Sequence, residues 1–208
     1  MIATYEQRLD SDLRWALDEG SRHFDRQNSV HRTLRCVATA LAARGIAFAV
    51  CGGMALFFHG YRRFTEDIDL LISRAGFDRI NEHLDDLGLV RLPHGGRHPR
   101  DAETGVRVEL LVTGEFPGDR KPKPVAFPDP APVAIELAGL PCLRLTVLIE
   151  LKLAAGLSDP RRLKDLADVQ ELIRVLRLPH EIADELNPWV REMYDELWDG
   201  VRRGTALE

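Results

Sequence analysis

The chain of 208 residues has few cysteines, few aromatic residues and no long apolar run. Cys36, Cys51 and Cys142 are odd in number and unrelated in spacing, with no CxxC pair, so neither a disulfide framework nor a zinc site is indicated. They read as small buried apolar residues. No apolar stretch approaches the ~20 residues that span a bilayer, and the opening MIATYEQRLDSDLRW has no hydrophobic signal region, so a cytoplasmic protein without membrane contact is expected. A surplus of positive charge is missing too. The formal net charge of −5 argues against a protein coated in cations for non-specific nucleic-acid binding. A local basic groove is still compatible with it, since Arg and Lys cluster at Arg62 and Arg63, from Arg97 to Arg107, from Arg120 to Lys123, and from Arg161 to Lys164. Much of the acidity lies between Glu181 and Asp199. Internal repeats, low-complexity tracts and coiled-coil heptads are absent.

What is present is 45% hydrophobic and long enough to bury a real core. The stretch 51–72, CGGMALFFHGYRRFTEDIDLLI, organises the rest. It joins a Gly52-Gly53 turn to Asp67 and Asp69, which a strand projects side by side while Ile68 points into the core. Two such acids are costly without a cation between them. Hard oxygen ligands completed by substrate phosphates suit Mg²⁺, so the pattern reads as a phosphoryl-transfer site. An isolated Asp-Ile-Asp on a solvated strand is the competing reading.

The flanking elements follow from periodicity and punctuation. A polar helical segment to about Gln27 is followed by a helix over 29–44, capped by Asn28 or Ser29 and stopped by Gly45, with Val30, Leu34, Val37 and Leu41 as its stripe. The run IAFAVC predicts a buried strand over 46–51, then a short helix over 54–59, a polar loop over 61–66 and a strand over 67–72. A helix over 75–87, a possible strand over 89–92 and a turn-rich, mobile connector over 93–105 come next. The strand over 106–112, VRVELLV, puts Arg107, Glu109 and Leu111 on one face, so Glu109 is a candidate third carboxylate or part of a solvated face. The Pro- and Gly-rich loop over 113–132 marks a functional segment and a boundary. An edge strand over 133–137 and helices over 146–157, 160–176 and 180–198 complete the chain, the second helix starting at Asp159 and Pro160. The expected division is a sheet domain with N-terminal helices at 1–130 and a helical subdomain at 131–208.

The motifs GGMAL, HG, R and TEDIDL resemble the signature of DNA polymerase β-type nucleotidyltransferases, and most closely the AbiEii-like branch that includes toxins of toxin-antitoxin pairs. LIELKLAAG with Lys152, and RRLKDLADVQELI with Lys164, Asp165 and Asp168, resemble that branch's two later motifs, so the likeness runs over residues 48–173. Many members carry Ser after the first glycine and Asp as third carboxylate, where this chain has Gly53 and Glu109. The resemblance implies an α/β (α+β) nucleotidyltransferase fold, a small mixed sheet flanked by helices with a C-terminal helical subdomain. It implies transfer of a nucleotide from an NTP to RNA, with tRNA a plausible acceptor, by a toxin that a cognate antitoxin neutralises. In that reading Asp67, Asp69 and Glu109 hold two Mg²⁺ ions, and Glu109 alternatively accepts the proton. Gly52 and Gly53 admit the phosphates, and Arg62, Arg63, Lys152, Lys164 and Asp165 complete the catalytic and nucleotide-binding set. Modification of a small molecule such as an aminoglycoside, and a catalytically silent nucleotide- or partner-binding module, are the alternatives.

Other residues carry plainer expectations. Glu150 and Lys152 lie on nearly opposite faces of one apolar helix, so at least one of them points into a polar cavity or a pair, unless both reach water at an exposed helix end. Arg161 with Asp165 and Lys164 with Asp168 have the spacing of surface i,i+4 pairs. His59 reads as a packing or capping residue, and His94 and His98 lack ligand spacing. Arg120, Lys121 and Lys123 either line an acceptor channel or belong to an ordinary charged loop. Trp189, Tyr194 and Trp198 suit core or partner packing.

Overall fold

The computed structural model describes residues 3–92 and 98–205, so His94, Arg97 and residues 93–97 of the connector lie outside the described residues. The N-terminal segment forms two helices, α1 (Tyr5–Ser11) and α2 (Leu13–Phe24), because Asp12 ends the first and caps the second by accepting from the Trp15 N–H. Helix α3 (Ser29–Ala43) is capped by Asn28, and its stripe of Val30, Leu34, Val37 and Leu41 is at most 1% exposed.

The apolar run forms β1 (Phe48–Val50), and its alternation feeds two cores. Phe48 and Val50 join the cluster built with α3, whereas Ala49 and Cys51 join the opposite cluster. Helix α4 (Gly52–His59) starts at the first glycine, two residues ahead of expectation, so the Gly-Gly turn is the helix N-terminus. Next come β2 (Asp67–Ile72) and α5 (Arg74–Glu82), which ends early. Residues Asp85–Leu87 instead make a 3₁₀ turn closed by Gly88 at φ +69°.

Strands β3 (Leu89–Val90), β4 (Arg100–Asp101) and β5 (Arg107–Val112) precede the loop, and α6 (Pro130–Val133), β6 (Ala134–Leu137) and β7 (Leu140–Leu143) follow it. The described strands form one mixed sheet in the order β3-β4-β5-β2-β1-β7-β6. Pro141 hides β7 from a propensity reading. Ala138 and Gly139, with φ of 54° and 78°, supply the two left-handed residues of a tight hairpin turn between β6 and β7. Because β6 and β7 belong to the sheet, a division at residue 130 runs through it, and the purely helical part starts at Leu145.

That part comprises α7 (Leu145–Ser158), a 3₁₀ turn at Pro160–Arg162, α8 (Leu163–Leu176), α9 (Ile182–Glu185) and α10 (Pro188–Thr205). The single helix expected over 180–198 is split because Pro188 disfavours helical backbone at Asn187, whose side chain then caps α10 through the Trp189 N–H. Tyr194 donates to the Pro179 carbonyl and Trp198 to that of Leu178, both at 3.0 Å, while Trp189 stays 39% exposed. Among the described residues no helix is long and apolar enough to cross a membrane.

The two sheet faces explain where the acids sit. Ile68, Leu70 and Ile72 of β2, with Val108, Leu110 and Val112 of β5, face the α3 side. Leu71 and Leu111 face α7, α8 and α10. Period-two alternation therefore puts Asp67, Asp69, Arg107 and Glu109 on the face that the C-terminal helices cover. At this end of the sheet the helices leave a cleft.

Candidate active site

Strands β2 and β5 run parallel with Asp67 opposite Arg107 and Asp69 opposite Glu109, so three carboxylates and one guanidinium share a small patch of one face. Asp67 is held on both sides: the Thr65 hydroxyl donates to its Oδ1 at 3.1 Å, and Arg107 Nη2 contacts its Oδ2. Asp69 is worse off. Burial, then the charges of Asp67 and Glu109, push its carboxyl well above the usual carboxylate range, and Lys152 and Arg107 only partly oppose this. The patch therefore wants more positive charge than the protein supplies.

The N-terminus of α4 faces this patch. A Cβ on Gly52, which has φ +54°, would lie 1.7 Å from Oδ2 of Asp69, and one on Gly53 would lie 2.5 Å from the Thr65 hydroxyl. The glycines thus make room first for the protein's own Asp69 and Thr65. Cys51 provides no side-chain cap, so the opening N–H groups of α4 have neither an intrahelical nor a capping acceptor, the arrangement that binds anions.

Across the cleft, α7 and α8 hold a buried ion network. Lys152, 7% exposed, donates at 2.7 Å to both Asp165 Oδ1 and Asp168 Oδ2. Arg63 donates to both oxygens of Asp168 at 2.8 and 2.9 Å, and Arg162 pairs with Asp165 at 2.7 Å. Burial alone would raise the Asp168 carboxyl, but Lys152 and Arg63 outweigh it and hold it below the usual range. Glu150, on the other side of α7, accepts from the Asn187 N–H. Lys152 is therefore ion-paired and Glu150 hydrogen-bonded to backbone, so both charged side chains of this apolar helix have a partner. The i,i+4 pairs expected on α8 do not form: the 3₁₀ turn carries Arg161 back to Asp159, and Asp165 and Asp168 turn inward to Lys152.

The cleft, of about 340 Å³, is lined by Gly52, Gly53, Arg63, Asp67, Asp69, Glu109, Lys152, Lys164 and Asp165, all residues singled out by sequence. Arg62 is not among them. It is exposed, with its guanidinium 5.8 Å from the Phe57 ring centroid, while Arg63 turns inward to Asp168. Lys152 is no open cation either, being held by two carboxylates. The Pro-rich loop contributes Glu115, Phe116, Pro117, Gly118, Arg120 and Phe127. Lys121 is exposed and outside the lining, and Lys123 is buried against Asp119 and the Pro117 carbonyl. His59 packs as expected, its Nε2 2.8 Å from the Leu143 carbonyl oxygen. Sequence reasoning passed over Thr65, Arg107 and His98. Two of them had a signal, since Thr65 and Arg107 stand two residues before Asp67 and Glu109 and so share their faces. His98, whose Nε2 is 3.7 Å from Glu109, had none.

The donor set suits a hard divalent cation: carboxylate oxygens on adjacent strands, with Asp69 only partly compensated by Lys152 and Arg107. Among the described residues no three ligand side chains are already gathered at metal-binding distance. That is consistent with a cation that binds one or two carboxylates and completes its shell with water and substrate phosphate.

The model of a family described as uncharacterised nucleotidyltransferase matches residues 2–193. The chain belongs to this nucleotidyltransferase family. No curated protein matches it. Solved structures similar to this nucleotidyltransferase include the antibiotic-resistance factor ANT(2'')-Ia in solution, 16% identical, covering 85% of this chain and 92% of that one with a TM-score of 0.44. The crystal structure of ANT(2'')-Ia with adenylyl-2''-tobramycin is 14% identical, covering 83% and 96% with a TM-score of 0.43. JHP933 from Helicobacter pylori is 13% identical, covering 85% and 94% with a TM-score of 0.46.

Proposed function

We propose that this nucleotidyltransferase moves a nucleotide from an NTP to a hydroxyl of RNA, with tRNA the leading acceptor, as the cytoplasmic, AbiEii-like toxin of a toxin-antitoxin pair. The observation that carries the acceptor reading is the charge of the cleft rim. Arg120, Arg161, Arg162 and Lys164 line it, Arg161 and Arg162 each sharing one carboxylate, Asp159 and Asp165, while Asp165 and Asp168 also hold Lys152 and Glu115 pairs with Arg74, so the outward charge rests chiefly on Arg120 and Lys164. A polycationic small molecule meets repulsion at such a rim, whereas a phosphate backbone is attracted to it. The toxin role and its antitoxin partner rest on the resemblance alone, that of GGMAL, HG, R and TEDIDL together with the Lys152 and Lys164–Asp168 motifs.

In this reading Asp67, Asp69 and Glu109 hold Mg²⁺, a pair of ions in the fullest form, which supplies charge neutralisation at the transferred phosphate and an acidified acceptor hydroxyl. The N–H groups at the start of α4 bind the triphosphate. Glu109 lies opposite Asp69, and as the alternative to completing the metal's shell it would itself accept the hydroxyl proton. Asp168 fixes Arg63 and Lys152, so the helical part, counted from Leu145, ties the loop before β2 to the cleft wall that would face the triphosphate. Positioning and charge stabilisation account for the catalysis.

The test is incubation with each labelled NTP, Mg²⁺ and total tRNA. Label should enter RNA, and Asp67→Ala or Asp69→Ala should abolish both labelling and the growth arrest caused by expression. Labelling of an aminoglycoside but not of RNA would select the small-molecule alternative. Absence of label with every nucleotide and acceptor would leave the silent binding module.

A further inference from the structure

Three cations stand close to the acids of the cleft, and they are committed to very different degrees. Arg63 grips both oxygens of Asp168 at 2.8 and 2.9 Å and donates a further bond to the Phe64 carbonyl at 3.1 Å. Lys152 is enclosed between two carboxylates. Neither can leave without stranding a buried charge. Arg107 is different. It touches Asp67 Oδ2 through Nη2, its side chain is 37% exposed, and its buried Nε has no acceptor among the described residues. A buried donor left unpaired is unfavourable, so the resting position of this guanidinium satisfies it incompletely.

Asp67, in contrast, has an anchor of its own. The Thr65 hydroxyl donates to Oδ1, and Gly53 gives that hydroxyl its room. The carboxylate therefore keeps its place if Arg107 departs. Arg107 occupies the other oxygen, Oδ2, and lines the same cleft as Asp67, Asp69 and Glu109.

We propose that Arg107 is an exchangeable counter-ion: it occupies Asp67 in the ligand-free protein, competes there with the divalent cation, and on release donates to the nucleotide's phosphates. The proposal rests on the metal-dependent nucleotidyltransferase reading, though not on the identity of the acceptor. It predicts opposite effects on two ligands from one substitution. Arg107→Gln removes the competitor, so Mn²⁺ alone, used as the probe cation and titrated by electron paramagnetic resonance, binds about tenfold tighter than to wild type. The same variant loses a phosphate donor, so a non-hydrolysable NTP with saturating Mg²⁺ binds about tenfold more weakly by calorimetry. Arg107→Lys, which keeps the charge, holds both affinities within about threefold of wild type. A purely structural role for Arg107 would weaken both ligands together.

The same exchange is readable without a substitution. In wild type, the ¹⁵N resonance of the Arg107 Nε–H should shift when Mg²⁺ is added and shift again with the nucleotide. Arg107→Gln affinities within twofold of wild type, joint weakening of both ligands, or an Nε–H signal indifferent to Mg²⁺ each overturn the proposal. Mn²⁺ binding that Asp67→Asn abolishes but Arg107→Gln leaves unchanged defeats the exchange and spares the metal site. No Mn²⁺ binding by wild type, Arg107→Gln or the Mg²⁺-nucleotide complex defeats both.

Discussion

Replacing Gly52 by alanine tests the architecture of the acidic patch at a single atom. The new methyl carbon would lie 1.7 Å from Oδ2 of Asp69, so the carboxylate must move by more than an ångström. The backbone adds its own objection. At φ +54° a side chain sits in the left-handed region, which costs about 1–2 kcal/mol for a residue with a Cβ. Driving Asp69 off its rotamer adds about 0.5–1.5 kcal/mol. Together these predict a loss of about 2–3 kcal/mol and, at about 2–4 °C per kcal/mol for a chain of this size, a Tm lower by about 5–10 °C. Displacing a reacting group by an ångström reduces transfer by about 100-fold. Gly53→Ala separates packing from backbone strain. Its Cβ would meet the Thr65 hydroxyl at 2.5 Å and the Thr65 Cβ at 2.8 Å, a contact that rotation of the hydroxyl does not relieve, so this variant too should melt lower and loosen the Asp67 anchor, without the left-handed backbone penalty of Gly52→Ala. Calorimetric melting and single-turnover labelling of RNA measure both variants. A Gly52→Ala protein that melts within 2 °C of wild type and labels within threefold would refute the reasoning.

The remaining predictions concern buried charge. Lys152→Met removes the cation that Asp165 and Asp168 share and leaves them only Arg162 and Arg63, so it should cost about 3 kcal/mol in urea unfolding, the low end for breaking a buried pair. Because burial and its acidic neighbours raise Asp69 above its unfolded value, the native metal-free chain binds the extra proton, and stability falls as pH rises from about 4 towards that raised value. Asp69→Asn should therefore melt higher than wild type at pH 7 without metal while transferring nothing; equal or lower melting would contradict the charge assignment. Burial pushes His31 down to about 4 and its Nε2 has no acceptor, so the unfolded chain takes up the proton first and stability is lost as pH falls from about 6.5 to 4. His31→Phe should flatten that slope, with up to about 3 kcal/mol at stake, as read from urea midpoints across the interval.

The acids were legible because strand periodicity is local: knowing that 67–72 and 107–112 are strands is enough to put Asp67 with Asp69 and Arg107 with Glu109. Lys152 was legible for a related reason, since two charges on opposite sides of an apolar helix cannot both reach water easily. The partners of these residues were not legible. That Arg107 meets Asp67 depends on the register of β2 against β5, which is set by tertiary packing and appears in neither segment. The pairing of Asp165 and Asp168 with Lys152 overrode a locally plausible i,i+4 pattern, because a buried ammonium needs anions more than an exposed arginine does. Choosing Arg63 over Arg62 required knowing how the loop crosses towards α8. Strand β7 was concealed by Pro141, although its hairpin turn at Ala138 and Gly139 was there to be read.

The parallel pairing of β1 with β7, through Val50 and Cys142, has a consequence for the nascent chain. Strand β1 sits inside the sheet, yet the neighbour on one of its sides is made about ninety residues later. Until that neighbour emerges, the apolar run 46–51 presents an open edge, a segment suited to unwanted pairing and dependent on slow, long-range closure. The acids on β2 and β5 are by then already synthesised, but the helix that fixes Arg63 through Asp168 is not. Chains cut short before residue 143 should therefore aggregate, and chains ending between 143 and 168 should hold a sheet without a finished cleft. Competence for transfer thus arrives late in synthesis and all at once.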